Sequence, residues 1–173
     1  AKKLGAVAAP AAGLHFTKIV LKKLELIGVK IVTITTHISL GTFKDVDVED
    51  LTKHKMDSEN FYISEETSEV VNSALEHGKK IVAVGTSTMK TLESSVSTSG
   101  RLKANQGWTD KFIFPPFKFQ ICSGMITNFH SPKSTLLMMA AAYGGFDNIM
   151  KAYKIAIQKK YRFHSYGDAM LIL

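Results

Sequence analysis

Apolar positions along the chain switch repeatedly between the helical period and the strand period, the pattern of an α/β domain. Val20, Leu24 and Ile27 recur at helical spacing behind Thr17, a good N-cap, and Gly28 can end that helix. Residues 29–38 are rich in β-branched side chains and predict a strand. Leu40-Gly41-Thr42-Phe43 reads as a turn, residues 45–58 as a polar loop with a short helix, and residues 61–63 as a brief strand. Ser64 predicts the cap of a second helix, with Glu65 and Glu66 at the positive end of its dipole and Val70, Val71, Ala74 and Leu75 buried. A short apolar strand over 80–84 then runs through Gly85-Thr86-Ser87-Thr88 into a helix with Met89, Leu92 and Val96 inward.

Residues 97–110 are polar and contain glycine, which predicts a mobile loop. Strands are expected at 112–114 and about 118–127, separated by a bend at Pro115-Pro116. Ser131 or Ser134 can cap a helix over 136–143, with Pro132 tolerated in its first turn and Gly144-Gly145 closing it. In the helix that follows, Ile149, Met150, Tyr153, Ala156, Ile157 and Tyr161 share one face, and residues 169–173 predict a last buried strand. No repeat, low-complexity tract or linker divides the 173 residues, so one domain is expected.

Composition narrows the class. A hydrophobic share of 45% with 21% charged residues suits a globular domain, and no apolar run approaches a membrane span, so no membrane partner is expected. The weakly apolar start, interrupted by Pro10, does not resemble a secretory signal. Cys122 is the one cysteine, which excludes an intrachain disulfide framework and a thiolate cluster and points to a reducing cytoplasm. The formal charge of +7 is concentrated late: residues 111–173 hold eight Lys/Arg against two Asp/Glu. That distribution suits a polyanion such as RNA, and equally an ordinary basic surface.

Two strand-to-helix junctions carry candidate chemistry. At Gly85-Thr86-Ser87-Thr88, free helix N–H groups and three hydroxyls could hold a phosphate, a carboxylate or a ribose; a well-capped connection explains the same residues. The passage from Thr127 through Asn128, Phe129, His130, Ser131, Pro132, Lys133 and Ser134 to Thr135 gathers an amide, an imidazole, an ammonium and several hydroxyls, a density unusual for a structural turn. Neither matches a P-loop or a Gly-x-Gly-x-x-Gly fingerprint. No two histidines have metal-ligand spacing, so no metal site is expected. His77 reads as a helix C-terminal cap, while His15 and His37 fall at element boundaries where a ligand could approach. Glu93 lies in the helix after the first junction, where a solvated face is its ordinary fate.

Longer strings go further. Gly5-Ala6-Val7-Ala8-Ala9-Pro10 with Ala12-Gly13-Leu14-His15-Phe16-Thr17 resembles the opening of the second half of S-adenosylmethionine:tRNA ribosyltransferase-isomerases of queuosine synthesis. His37 with Leu40-Gly41-Thr42-Phe43, His54-Lys55-Met56, Val84-Gly85-Thr86, Thr91-Leu92-Glu93-Ser94 and Gly107-Trp108-Thr109-Asp110 follow in family order. So do Ile126-Thr127-Asn128-Phe129-His130, the run from Pro132 to Met138, Lys160-Tyr161-Arg162-Phe163, and Ser165-Tyr166-Gly167-Asp168-Ala169-Met170. Lys90 stands where the family usually has Arg, Asp57 where it has His, Ser39 where it has Gly, Ala11 where it has Thr, and Ser131 where it has Leu.

The resemblance implies a mixed, largely parallel sheet flanked by helices, with residues 1–173 the C-terminal part of the family's α/β catalytic domain and the smaller β-barrel domain absent. It implies transfer and isomerisation of the ribosyl moiety of S-adenosylmethionine onto a 7-aminomethyl-7-deazaguanine at the tRNA wobble position, giving epoxyqueuosine-tRNA, adenine and methionine. No cofactor is implied; S-adenosylmethionine is a substrate. The expected catalytic residues are His15, His37, Glu93 and His130. The expected binding residues are Thr42, Thr86, Ser87, Thr88, Lys90, Asn128, Lys133, Ser134 and Asp168. Self-association or a complementary half is the expected protein partner, because half of such a domain would expose apolar surface. The alternative from another class is a non-catalytic tRNA-binding lobe or a degenerate family member.

Overall fold

The computed structural model describes residues 1–173. Five helices and six strands form in the order α1 (Lys18–Leu26), β1 (Thr35–His37), β2 (Glu59–Ile63), α2 (Glu65–Glu76), β3 (Val82–Val84), α3 (Thr86–Ser94), β4 (Asn105–Thr109), β5 (Gly124–Asn128), α4 (Thr135–Gly144), α5 (Phe146–Gln158) and β6 (Ala169–Ile172). Short 3-10 turns occupy Ala11–His15, Leu40–Phe43 and Leu51–Lys53.

The strands make two three-stranded sheets rather than one. In the first, β2 lies between β1 and β4 and is antiparallel to both; in the second, β5 runs parallel to β3 and antiparallel to β6. The α/β class holds, but the expected predominance of parallel pairing does not: β3–β5 is the one parallel pair. The reason lies in the connections. The connection from β3 to β5 includes α3, which packs on both strands, whereas β6 returns from α5 along the other edge of β5 and runs antiparallel to it.

Strand alternation and helix stripes build one core. Phe61 and Ile63 of β2, Ala83 of β3, Met89 and Leu92 of α3, Met125 of β5 and Ala140 of α4 are all buried in it. Phe129 is its aromatic centre, with ring centroids 5.2 Å from Tyr153 and 4.9 Å from Phe163. The predicted caps form: Thr17, Ser64 and Ser134 accept from the N–H groups of Val20, Thr67 and Leu137. His77 also caps as expected, its Nδ1 lying 2.8 Å from the Ser73 carbonyl.

Four local expectations are corrected. The strand expected over 29–38 ladders only at Thr35–His37, because β2 offers no partner beyond Tyr62 and the Thr33 carbonyl accepts the Thr67 hydroxyl instead. Residues 97–110 are not simply a loop. Asn105–Thr109 pairs with β2 despite its weak strand propensity, and Asn72 clamps Leu102 from both its N–H and its carbonyl. The strand expected at 118–127 is confined to Gly124–Asn128, because the amides before it bind a side chain rather than a neighbouring strand. Finally, no strand forms at 112–114. The helix α1 forms as expected but buries none of its residues: of its apolar stripe Val20 is 38% exposed, Leu24 half-buried, and Ile27, the C-cap, 77% exposed.

The side chain that replaces the missing ladder is Glu93. Its Oε1 accepts from the N–H groups of Ile121 and Cys122 at 2.9 and 3.1 Å, and its Oε2 from that of Gln120 at 2.9 Å. Glu93→Ala therefore strands three amides, two of them on buried residues, and is expected to cost about 3 kcal/mol of stability, read as a lower urea midpoint at unchanged slope. A loss below about 1 kcal/mol would contradict this anchoring role.

Candidate functional site

Between the two sheets lies a cleft of about 370 Å³. Its far wall is the end of the parallel pair: Val84 leads through Gly85 (φ 97°) into α3, and Thr127–Asn128 leads through His130 towards α4. The left-handed backbone at Gly85 is open to glycine and strained for other residues, which fixes the residue at the first junction. The near wall is Ile34, Thr36 and Ile38 of the first sheet's edge together with the 3-10 turn at Thr42 and Phe43, and Ala8–Gly13 close one side. A second hollow of about 340 Å³, mostly apolar and lined by Leu14, Leu40 and Tyr166, shares Ala8, Ala9, Ala11, Phe43 and Ser165 with it.

The fold brings Thr42, Thr86, Ser87, Thr88, Lys90, Asn128, His130 and Ser134 to this cleft. Several of them also have structural work. The Thr88 hydroxyl donates to the Val84 carbonyl at 2.9 Å, and Ser134 caps α4 while donating to the Ser131 carbonyl at 2.8 Å. Asn128 Nδ2 donates to the Gly167 carbonyl at 3.0 Å and lies 3.2 Å from His15 Nε2, so His15 touches the site through Asn128 without lining it.

The other candidates stand elsewhere. His37 is on the opposite face of β1 from Thr36, packed against Gly5, as strand alternation requires. Glu93 faces the 120–122 amides, with both carboxylate oxygens occupied. Lys133 is exposed and points to Asp47 at 4.0 Å. Asp168 accepts from the Arg162 backbone N–H at 2.7 Å and guanidinium at 2.8 Å; the hydrogen bond from that guanidinium is the main cause holding its carboxyl below the usual range.

One residue was absent from the expectations. Glu59, 2% exposed, lies on the cleft floor and pairs with Lys90, 4% exposed. Its Oε1 accepts from the Ser39 N–H at 2.9 Å and the Thr42 hydroxyl at 2.5 Å. The available signal was its register: Glu59 shares the inward face of β2 with Phe61 and Ile63. An acid in that place demands a buried partner.

Of the two imidazoles that line the cleft, His164 and His130, the more deeply placed is His130. Its Nε2 lies 2.7 Å from Thr127 Oγ1, whose hydroxyl is also 3.3 Å from the Asn128 carbonyl, and Tyr153 Oη accepts its backbone N–H at 2.8 Å. Using both Thr127 contacts makes Thr127 donate to the Asn128 carbonyl and accept from Nε2–H, which leaves Nδ1 as the lone-pair nitrogen. Burial, reinforced by His164, lowers its pKa to about 4, so the ring is neutral near pH 7.

These features define an α/β domain with a polar cleft at the carboxyl ends of a parallel strand pair, the usual place for a ligand in such sheets. The pattern of the queuosine biosynthesis protein family matches residues 1–172, and the chain belongs to that family. It is 60% identical over its whole length to the S-adenosylmethionine:tRNA ribosyltransferase-isomerase of Cytophaga hutchinsonii, covering 50% of that protein. Against the same-named protein of Phocaeicola vulgatus it is 54% identical, again over all of this chain and 49% of the relative. The crystal structure of an S-adenosylmethionine tRNA ribosyltransferase from Thermotoga maritima matches 94% of this chain and 52% of its own, at 39% identity and a TM-score of 0.78. The chain thus spans about half the length of the curated relatives it matches.

The lowered pKa of His130 has a consequence for stability. Below about 6.5 the unfolded chain protonates this residue while the folded chain does not until about 4, so stability falls as pH falls through that window. The expected contribution is up to about 3 kcal/mol. His130→Asn should therefore lose less stability than the parent between pH 6.5 and 4.5 in chemical denaturation, and identical pH slopes would contradict the burial argument.

Proposed function

We propose that residues 1–173 furnish the C-terminal part of an α/β catalytic domain that transfers and isomerises the ribosyl moiety of S-adenosylmethionine. The acceptor is a 7-aminomethyl-7-deazaguanine in tRNA, and the products are epoxyqueuosine-tRNA, adenine and methionine. The observation that carries this reading is the convergence of both strand-to-helix junctions on one cleft with a neutral imidazole in its wall. Family membership and the names of its relatives support the same assignment.

The chemistry asks for a base to take a proton beside the sulfonium and an acid to assist the departing adenine. His130 is the base in this reading: the ring is neutral at working pH with Nδ1 uncontacted, and a basicity lowered by burial must rise when the cleft is occupied for it to take the proton. The hydroxyls and first-turn N–H groups at Thr86–Thr88 bind the polar parts of the donor. The reaction moves a sugar and protons without net electron transfer, so the residues and the two substrates suffice for it. The basic residues of the last third serve the tRNA backbone, and a cytoplasmic location fits a tRNA substrate.

Adenine release from S-adenosylmethionine, with and without tRNA bearing the aminomethyl deazaguanine, tests the reading. The assay is run on this chain alone and on the chain joined to the other half of a curated relative. Release dependent on the modified tRNA is expected, reduced about a hundredfold or more by His130→Asn. If neither form releases adenine while tRNA still binds, the non-catalytic tRNA-binding lobe is the correct reading.

A further inference from the structure

Glu59 is buried at the cleft floor with its hydrogen bonds already assigned by the protein. Lys90 holds Oε2, and the Ser39 amide and Thr42 hydroxyl hold Oε1. In an ion pair with an ammonium, a carboxylate only accepts. The direction of the 2.5 Å contact is therefore fixed: Thr42 donates its one hydroxyl proton to Glu59. What Thr42 Oγ1 can show the cleft is then lone pairs alone. Its backbone is held too, because the Thr42 carbonyl accepts from the Thr135 hydroxyl at 3.4 Å.

We propose that Glu59 is a positioning residue that, paired with Lys90, makes the Thr42 hydroxyl an obligate acceptor for a hydrogen-bond donor of the ribosyl donor, either a sugar hydroxyl or an amino group. This rests on the ribosyl-donor reading of the cleft. Glu59 itself takes no part in proton transfer, since all of its donors come from the protein and it has no proton to give. Lys90 stands as the fixed counter-charge, and the Ser39 N–H ties the segment before Thr42 to the same carboxylate.

The test is calorimetric binding of S-adenosylmethionine, adenosine and 2′,3′-dideoxyadenosine to the 173-residue chain and to its Thr42→Ser, Thr42→Val and Glu59→Gln variants. Thr42→Ser is expected to bind like the parent, and Thr42→Val about tenfold more weakly. A Thr42→Val loss seen with adenosine but not with the dideoxy compound identifies a sugar hydroxyl. A loss with all three ligands identifies the adenine amino group, since S-adenosylmethionine has no 5′-hydroxyl, and a loss with S-adenosylmethionine alone identifies the methionine ammonium. In each case the acceptor role stands. Equal binding of all three ligands by Thr42→Val and parent would overturn it.

Glu59→Gln is nearly isosteric, and hydrogen exchange supplies its second readout. The Ser39 amide should lose at least about tenfold more protection than the amides of α5, which report any general loss of stability. Unchanged Ser39 exchange would overturn the positioning role whatever the ligand data show. A parent chain that binds none of the three ligands would sink the ribosyl-donor reading itself and the acceptor role with it; Ser39 exchange would then still judge whether Glu59 holds the segment.

Discussion

The cleft exists because two sheets meet without merging, and the contact that sets their separation there is the buried pair between Glu59 and Lys90. Glu59 belongs to β2 in the first sheet, and Lys90 to the helix that leaves β3 in the second. A pair of this kind adds little net stability, because desolvating two charges offsets most of their attraction. Its value is geometric. Removing either partner leaves an uncompensated charge and costs about 3–5 kcal/mol, so any packing that separates β2 from α3 is penalised. Apolar residues in the same place would tolerate sliding. The ion pair does not, and the Ser39–Thr42 segment inherits its position from Glu59. The family's usual Arg at position 90 would satisfy the same demand with a planar fork; Lys90 meets it with one ammonium.

Much of this was legible in the chain. Helix caps at Thr17, Ser64 and Ser134 follow from side-chain chemistry acting over three residues, and local rules suffice for them. Both junctions of the cleft were visible as clusters of hydroxyl and amide residues. What escaped depends on partners distant in sequence. Asn105–Thr109 is a strand because β2 needs a second edge partner, a fact absent from its own composition. The apolar stripe of α1 has the helical period of a buried face, yet its period cannot say whether anything covers it.

Glu93 and His130 show how the same expectation divides once partners are known. Both came from strings resembling a family motif, and both are removed from bulk water. Glu93 has its two oxygens filled by three backbone amides, so its charge holds a chain segment in place of a β ladder. His130 is contacted at one ring nitrogen, and its environment removes the charge rather than using it. Burial alone does not distinguish a structural anchor from a group left free for a ligand; the partners of its polar atoms do. By that criterion Ser39 is an anomaly. Its buried hydroxyl has no hydrogen-bond partner, and a glycine, the family's usual residue, would leave nothing unsatisfied.

The same accounting bears on the charge of the cleft. The chain carries +7, but the formally charged residues lining the cleft are Asp45, Glu59 and Lys90; of its two imidazoles, His130 and His164, the buried one at position 130 is neutral. The local balance is thus slightly acidic inside a basic molecule. By formal charge such a cleft presents no net cation, while the surrounding surface is basic. Had His130 kept its ordinary pKa, a fraction of the molecules near neutrality would place a further cation in the cleft wall. Burying the ring removes that charge and leaves a neutral lone pair facing the cleft, but the same desolvation lowers its basicity, so the gain in charge balance is set against proton affinity.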